Sequence, residues 1–343
     1  MPRARSRREN AAPPPVSYRD GVQLGGAGGI VWCDAGRARG LDFVSHALLA
    51  PRARHGKLLM TAGTRALLSA TTSALPGEVL VTPFGRPFSL GGLRLELFPS
   101  GHLPGASSLL FTEATGRRIA YAGDVNPVRS LGEGGEVRGA EVLVVSAPLA
   151  HVTAALPPRE TVLAQLVERV KRTLELGKHP VVLAPPLGTA QEAMAALVSA
   201  GLRVRAHARI HDYALAYPSL GIPLPPPARW NGRLLDGETL FFPIDQRAAA
   251  TLARIDNRVT IALTGLALDG DSAARLGADH ALPLSDHADF DALAEYVEQT
   301  GASAVYLTRG FSDPVRQRFH DRTGLRRVRF EALGPPRQME LFS

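Results

Sequence analysis

Apolar positions fall into short, spaced groups along the 343 residues. Leu93-Arg94-Leu95-Glu96-Leu97-Phe98 alternates with period two, the pattern of a half-buried strand. Gly29 to Trp32, Phe43-Val44, Ser107 to Phe111 and Ile119 to Ala122 are further strands, and Thr115-Gly116 marks a hairpin turn. After Ala140 the pattern changes. Val142 to Val145 is a continuous apolar strand. Residues 158–177 then place Val162, Leu163, Leu166, Val167, Val170 and Leu174 on one helical face, with Gly177 at the C-terminal cap. Val181 to Leu183, a helix over 189–200 and Leu202 to Ala206 follow. Beyond a rigid Pro223 to Pro227 loop come a strand at Val259 to Leu263, a helix over 289–300 capped by Asp289, a strand at Ala304 to Leu307 and a short helix over 314–323. Strands alternating with helices predict parallel α/β structure. There is no internal repeat.

Composition narrows the class. The chain is 45% hydrophobic, 21% charged and 6% aromatic, which is globular with a core of Leu, Val and Ala. One cysteine, Cys33, excludes a disulfide framework and a multi-Cys zinc site. No apolar run is long enough to span a membrane. The first residues carry Arg3, Arg5, Arg7 and Arg8 without a following apolar stretch, unlike a secretory signal, so the expected compartment is the cytoplasm. Residues 1–16 read as a basic, disordered arm ending in Pro13-Pro14-Pro15. The net charge of +7 is almost wholly Arg, with Lys57, Lys171 and Lys178 as the lysines. Arg grips phosphate bidentately, which suits DNA or RNA; solubility alone explains a modest positive charge equally well.

Four segments carry candidate chemistry. His46 follows Phe43-Val44-Ser45, His102 lies in a Gly/Pro loop, Asp124 follows Tyr121-Ala122-Gly123, and His287 sits in Ser285-Asp286-His287-Ala288-Asp289 at a helix start. Two imidazoles and a carboxylate from separate strand ends can bind zinc. Ser285, Asp286 and His287 are consecutive and cannot form a catalytic triad. Cys33 has no evident His partner. His55 and His151 are expected at the surface, and His207 and His211 in a strand-to-helix passage.

In this order the segments GHLPGASSLLF (101–111), YAGDVNP (121–127), APPLGTAQEAMAAL (184–197) and LPLSDHADFDALAEYVEQTGASAVYLTRG (282–310) resemble the metallo-β-lactamase fold, in its β-CASP nuclease branch. The likeness is nearest to bacterial DNA-ligase-associated exonucleases and mRNA 3′-end-processing-factor-like proteins, over roughly residues 20–335. It implies an αββα sandwich with an inserted α/β β-CASP domain. The implied division is the arm, a first sandwich part at 17–155, the insert at 156–275, and a return at 276–343.

The departures matter most. The family pattern HxHxDH is here His46-Ala47-Leu48-Leu49-Ala50-Pro51, so Leu48, Ala50 and Pro51 replace three ligands. His102 and Asp124 match further zinc ligands, and His287 matches the family's catalytic His. Ala147 stands near a lost acidic position, Arg309 replaces the last zinc His, and Thr189 replaces a usual basic residue. A two-metal centre needs donors for both ions, and a guanidinium about 4 Å from a unit charge costs about 4 kcal/mol at an effective dielectric of 20, double that against Zn²⁺. One zinc at most is provided for, on His46, His102 and Asp124. The expected state is metal-free, with an Arg309–Asp124 salt bridge in place of the metal charge. The expectation is an inactive nuclease homologue that binds nucleic acid or pairs with an active nuclease or a ligase-associated partner, with no membrane role. The alternatives are a residual mono-zinc phosphodiesterase or exonuclease, with His287 as acid, and a purely structural assembly module.

Overall fold

The computed structural model describes residues 15–334, apart from 27, 129 and 269. The four arginines of the expected arm lie outside the described residues, whereas Val16, assigned to that arm, already opens a strand.

The chain first lays down a six-stranded sheet in sequence order: β1 (Val16–Tyr18), β2 (Val22–Gly26), β3 (Gly29–Cys33), β4 (Leu41–Phe43), β5 (Lys57–Met60) and β6 (Glu78–Val81). Strands β1 to β3 pair antiparallel; from β3 to β6 the pairing is parallel. Helix α1 (Ala62–Thr71) crosses between β5 and β6, and its N-cap Thr61 accepts from Thr64 N at 3.0 Å. A second sheet follows with β7 (Phe88–Leu90), β8 (Leu93–Pro99), β9 (Ser107–Thr112), β10 (Arg118–Gly123) and β11 (Val142–Val145). It is an antiparallel meander up to β10, and β11 joins β10 in parallel.

Next comes a wholly parallel sheet with its own helices. It holds α2 (Arg159–Glu175), β12 (His179–Ala184), α3 (Thr189–Ser199), β13 (Arg203–Ala206), α4 (Ala208–Ala216), β14 (Ala228–Arg229) and β15 (Glu238–Pro243). It continues with α5 (Ala250–Ala253), β16 (Arg258–Leu263), α6 (Ser272–Leu276) and β17 (His280–Leu282). The strand order is β14-β13-β15-β12-β16-β17. β12 is buried along almost its whole length, as a central parallel strand covered on both faces must be.

The chain then turns into α7 (Phe290–Thr300), β18 (Ala304–Leu307), α8 (Asp313–Asp321) and β19 (Arg329–Ala332). β18 pairs with β11 and β19 with β18, both parallel, so these strands extend the second sheet. The result is mixed α/β, with three sheets among the described residues.

Packing puts the sheets in layers. Val31, Phe43 and Leu59 of the first sheet meet Leu97, Leu109 and Tyr121 of the second. The other face of the second sheet packs on α7 and α8 through Leu293, Tyr296 and Phe319. The outer face of the first sheet, with Leu58 and Met60, shares one core with Leu67 and Leu68 of α1 and with α2, α3 and α4. Among the described residues no helix is long and apolar enough to cross a membrane.

Candidate metal and nucleic-acid site

The candidate residues are carried on the C-terminal ends of strands, where a rigid sheet can aim loop side chains. His46 lies three residues past β4, His102 three past β8, Asp124 one past β10, His287 five past β17 and Arg309 two past β18. Folding brings them together. His46 Nε2 is 3.2 Å from Asp124 Oδ2. His287 Nδ1 is 3.8 Å from Asp124 Oδ1. The His102 ring stacks on His287 with centroids 4.5 Å apart, and meets His46 edge-on at 4.7 Å. His46, His102 and Asp124 are all buried.

The electrostatics follow from that burial. Desolvation alone would raise the Asp124 carboxyl, but the hydrogen bond from His46 and the surrounding imidazoles outweigh it and hold the group well below the usual carboxylate range. Burial pushes His102 well down, reinforced by His287 and His46, so its imidazole is neutral. His102 Nδ1 lies 2.9 Å from the Asp286 carbonyl, which can only accept. That contact makes Nδ1 the protonated nitrogen and leaves the Nε2 lone pair free, the arrangement of metal-binding histidines.

These donors fit one cation. The ligand atoms of His46, His102 and Asp124 lie within 4.8 Å of one another. His46 Nδ1, Asp124 Oδ1 and His287 Nδ1 are buried without a hydrogen-bond partner among the described residues. Among the described residues no second group of three such donors is present. Leu48 stands in the same cavity as His102 and His287, with no lone pair to give. Ala50 is exposed and Pro51 half-buried. Ala147 is buried against the turn that carries Arg309, its N–H donating to the Arg309 carbonyl at 3.3 Å.

The expected Arg309–Asp124 salt bridge is present as a long contact of 4.0 Å, with Arg309 54% exposed. The bonded partner of Asp124 is His46, which approaches from the buried side while the guanidinium stays in solvent. His55 is not at the surface: its side chain is fully buried, with Nδ1 3.8 Å from Asp42 Oδ2. His151 is exposed as expected, and His207 caps α4 by accepting from Arg209 N at 3.3 Å.

Several contributors had no motif to announce them. Asp34 accepts from Ser45 N at 2.8 Å, Ser45 Oγ at 2.7 Å and Tyr121 Oη at 2.7 Å, and so fixes the residue before His46. Arg159 is buried at the start of α2, where its Nε donates to Glu192 Oε1 at 2.8 Å and its Nη1 to the Ser285 carbonyl at 2.5 Å. A cation in the first turn of a helix opposes the dipole, which was a legible sign of a specific partner. Thr189 is also buried; its N and Oγ1 donate to Asp286 Oδ2 at 2.7 and 2.6 Å. The Cys33 thiol is pushed well up by burial and by Asp34 and Asp42, which removes it as a nucleophile.

Asp42 gives a pH prediction. Burial, with Asp34 beside it, raises its carboxyl to about 8. Between about pH 4 and 8 the folded state therefore keeps a proton that the unfolded state has lost, and stability falls as pH rises through that window. Asp42→Asn cannot ionise and still accepts from Ala35 N, the bond that Asp42 Oδ1 makes at 3.0 Å. Its gain over the parent should grow from pH 5 to pH 8 and then level off. Parallel melting-temperature profiles for the two proteins over that range would show the carboxyl to be ionised throughout.

No family model matches the sequence. The chain is 30% identical over 312 residues to a protein of Opitutus terrae named probable DNA ligase, a match covering 90% of this chain and 30% of that protein. It is 27% identical over 103 residues to an RNase J-like protein of Methanocaldococcus jannaschii, covering 29% of this chain and 24% of that one. The chain thus spans less than a third of the length of these curated relatives. A solved protein of unknown function from Enterococcus faecalis superposes with a TM-score of 0.53 over 88% of this chain and 79% of that chain, at 15% identity, a likeness of fold alone.

Proposed function

We propose that this chain is a catalytically inactive homologue of the β-CASP nucleases of the metallo-β-lactamase fold, and that it acts by binding nucleic acid in repair or processing. In this reading the first two sheets with α1, α7 and α8 form the αββα sandwich, built from residues 17–155 and the end of the chain. The insert starts at 156 and runs past the expected boundary at 275, because β17 pairs with β16 in the third sheet. The observation that carries the reading is the donor set: among the described residues one three-ligand cluster, at His46, His102 and Asp124, with Leu48 and Arg309 beside it where a second ion would need donors. The names of the Opitutus and Methanocaldococcus relatives support a nucleic-acid setting. The first match occupies a minor part of a much longer polypeptide named as a ligase. We therefore place a DNA ligase or an active nuclease among the partners.

The second reading is a residual one-metal phosphodiesterase. The fixed tautomer of His102 and the unpartnered atoms of His46 and Asp124 favour it. A bound cation there would supply Lewis acidity toward a phosphoryl oxygen. His287, at 3.8 Å from Asp124, would be the group able to move a proton.

Metal analysis after zinc loading separates the readings from a full nuclease. The expected content is at most one zinc per chain. Cleavage of single- and double-stranded DNA and RNA with added Zn²⁺ or Mn²⁺ is expected to stay at the level of His102→Ala, while binding persists at low salt and weakens as salt rises. Two zincs per chain would overturn the proposal. Cleavage that depends on His102 would establish the second reading.

A further inference from the structure

The replacements that remove metal donors also build something. Leu48 is 37% exposed and Leu266 39%, although both are large and apolar. Scattered exposed leucines need no account. These two stand on separate 3₁₀ turns, Ala47–Leu49 and Gly265–Leu268, and line one cavity of about 270 Å³. Pro148 and Leu149 add apolar wall, and the stacked rings of His102 and His287 lie at the same cavity. Thr264 adds a hydroxyl that accepts from Leu266 N at 3.3 Å and retains a proton to donate. Arg309, exposed beside Asp124, supplies a cation at its edge.

Each property restricts the occupant. Ordinary small-molecule sites start at about 300 Å³, so this one takes a single ring system rather than a whole nucleotide or a peptide. Apolar side chains and imidazole faces suit a flat ring. A hydroxyl and imidazole nitrogens suit a ring whose edge forms hydrogen bonds. The neighbouring Arg309 suits a ring attached to an anionic group.

We propose that this cavity receives one unpaired nucleobase of a bound single strand, whose adjoining phosphate meets the exposed Arg309. The proposal rests on the nucleic-acid reading above and gives it a specific contact: base stacking in a site where the donors of a second metal are missing. An unpaired base is the form expected, because taking a base out of a duplex stack costs a few kcal/mol.

The test compares binding of the full chain to an oligothymidylate decamer and to an abasic decamer of equal charge, in the same salt. Wild type is expected to prefer the thymidylate strand by on the order of tenfold, the scale of one stacked base. Leu48→Ala/Leu266→Ala, with both changes at exposed positions, should bind the two strands equally and keep the salt dependence of the parent, since its phosphate contacts remain. Equal binding of both strands by wild type, or discrimination that survives in the double variant, overturns the cavity assignment and leaves nucleic-acid binding standing. Binding of neither strand at low salt overturns both.

Discussion

Glu192→Ala is expected to lower the unfolding free energy by about 3–5 kcal/mol, the cost of breaking a buried ion pair from one side. Arg159 and Glu192 are both buried, and the guanidinium meets both carboxylate oxygens. Without Glu192 the charge of Arg159 stays out of water, with the Ser285 carbonyl as its remaining hydrogen-bond partner and Asp286 Oδ1 at 3.8 Å. Asp286 Oδ1 has no hydrogen-bond partner of its own among the described residues, so this carboxylate is the one drawn toward the stranded guanidinium. Movement there is not free, because the other oxygen of Asp286 holds the start of α3 through Thr189, and its carbonyl orients His102. The loss of stability should therefore come with weaker zinc retention at His102. In urea the midpoint should fall by about 1 M or more, given a slope of about 3 kcal/mol per M. The double variant Arg159→Met/Glu192→Met leaves no stranded guanidinium and should be more stable than Glu192→Ala, although Asp286 then loses the cation 3.8 Å away. If Glu192→Ala and the parent unfold within about 1 kcal/mol of each other, the pair is solvated in solution and does not brace the site.

The ligand cluster was legible because His46, His102 and Asp124 each sit just past an apolar strand, in a short segment of marked character. The helices α2 and α7 were legible for a different reason: one has a continuous 3.6-residue stripe, the other an Asp289 cap that accepts from Ala292 N at 2.9 Å. Helix α1 went unread because Ala62–Thr71 is made largely of small residues and buries few large ones, Leu67 and Leu68 among them. The run Glu238–Pro243 is buried throughout and has no periodicity to separate strand from helix. His55 was misplaced because its neighbour in space, Asp42, is on another strand, and nothing in the spacing links them. The contact between Arg159 and Glu192 joins two helices across 33 positions. Pairwise geometry of that kind is a product of packing, and a single sequence shows only that one end carries a misplaced-looking charge.

Gly101→Ala should be the most damaging single-methyl change near the site. Gly101 has φ of +73°, and a Cβ there would come closer than 3.0 Å to the Asn126 carbonyl and to Gly135 backbone atoms. The left-handed conformation alone costs an L-residue about 1–2 kcal/mol, and backbone overlap in a packed region adds about 1–3 kcal/mol. None of the atoms in the way belongs to a flexible side chain. Asn126 N donates to the Ser100 carbonyl at 2.9 Å, Gly135 N to the Asn126 carbonyl at 3.3 Å, and Glu136 N to the Pro99 carbonyl at 2.9 Å, so three segments are tied around this one glycine. Relief by movement displaces the loop carrying His102, or the segment two residues past Asp124. Either shift separates the ligand atoms, so zinc affinity should fall together with stability. Gly177→Ala isolates the conformational part: its φ is +66°, but nothing lies within 4 Å of the added methyl. That variant should lose about 1 kcal/mol and leave zinc binding unchanged. Equal denaturation midpoints for Gly101→Ala and Gly177→Ala would mean that the three segments part easily, and that the site is held from the His46 side alone.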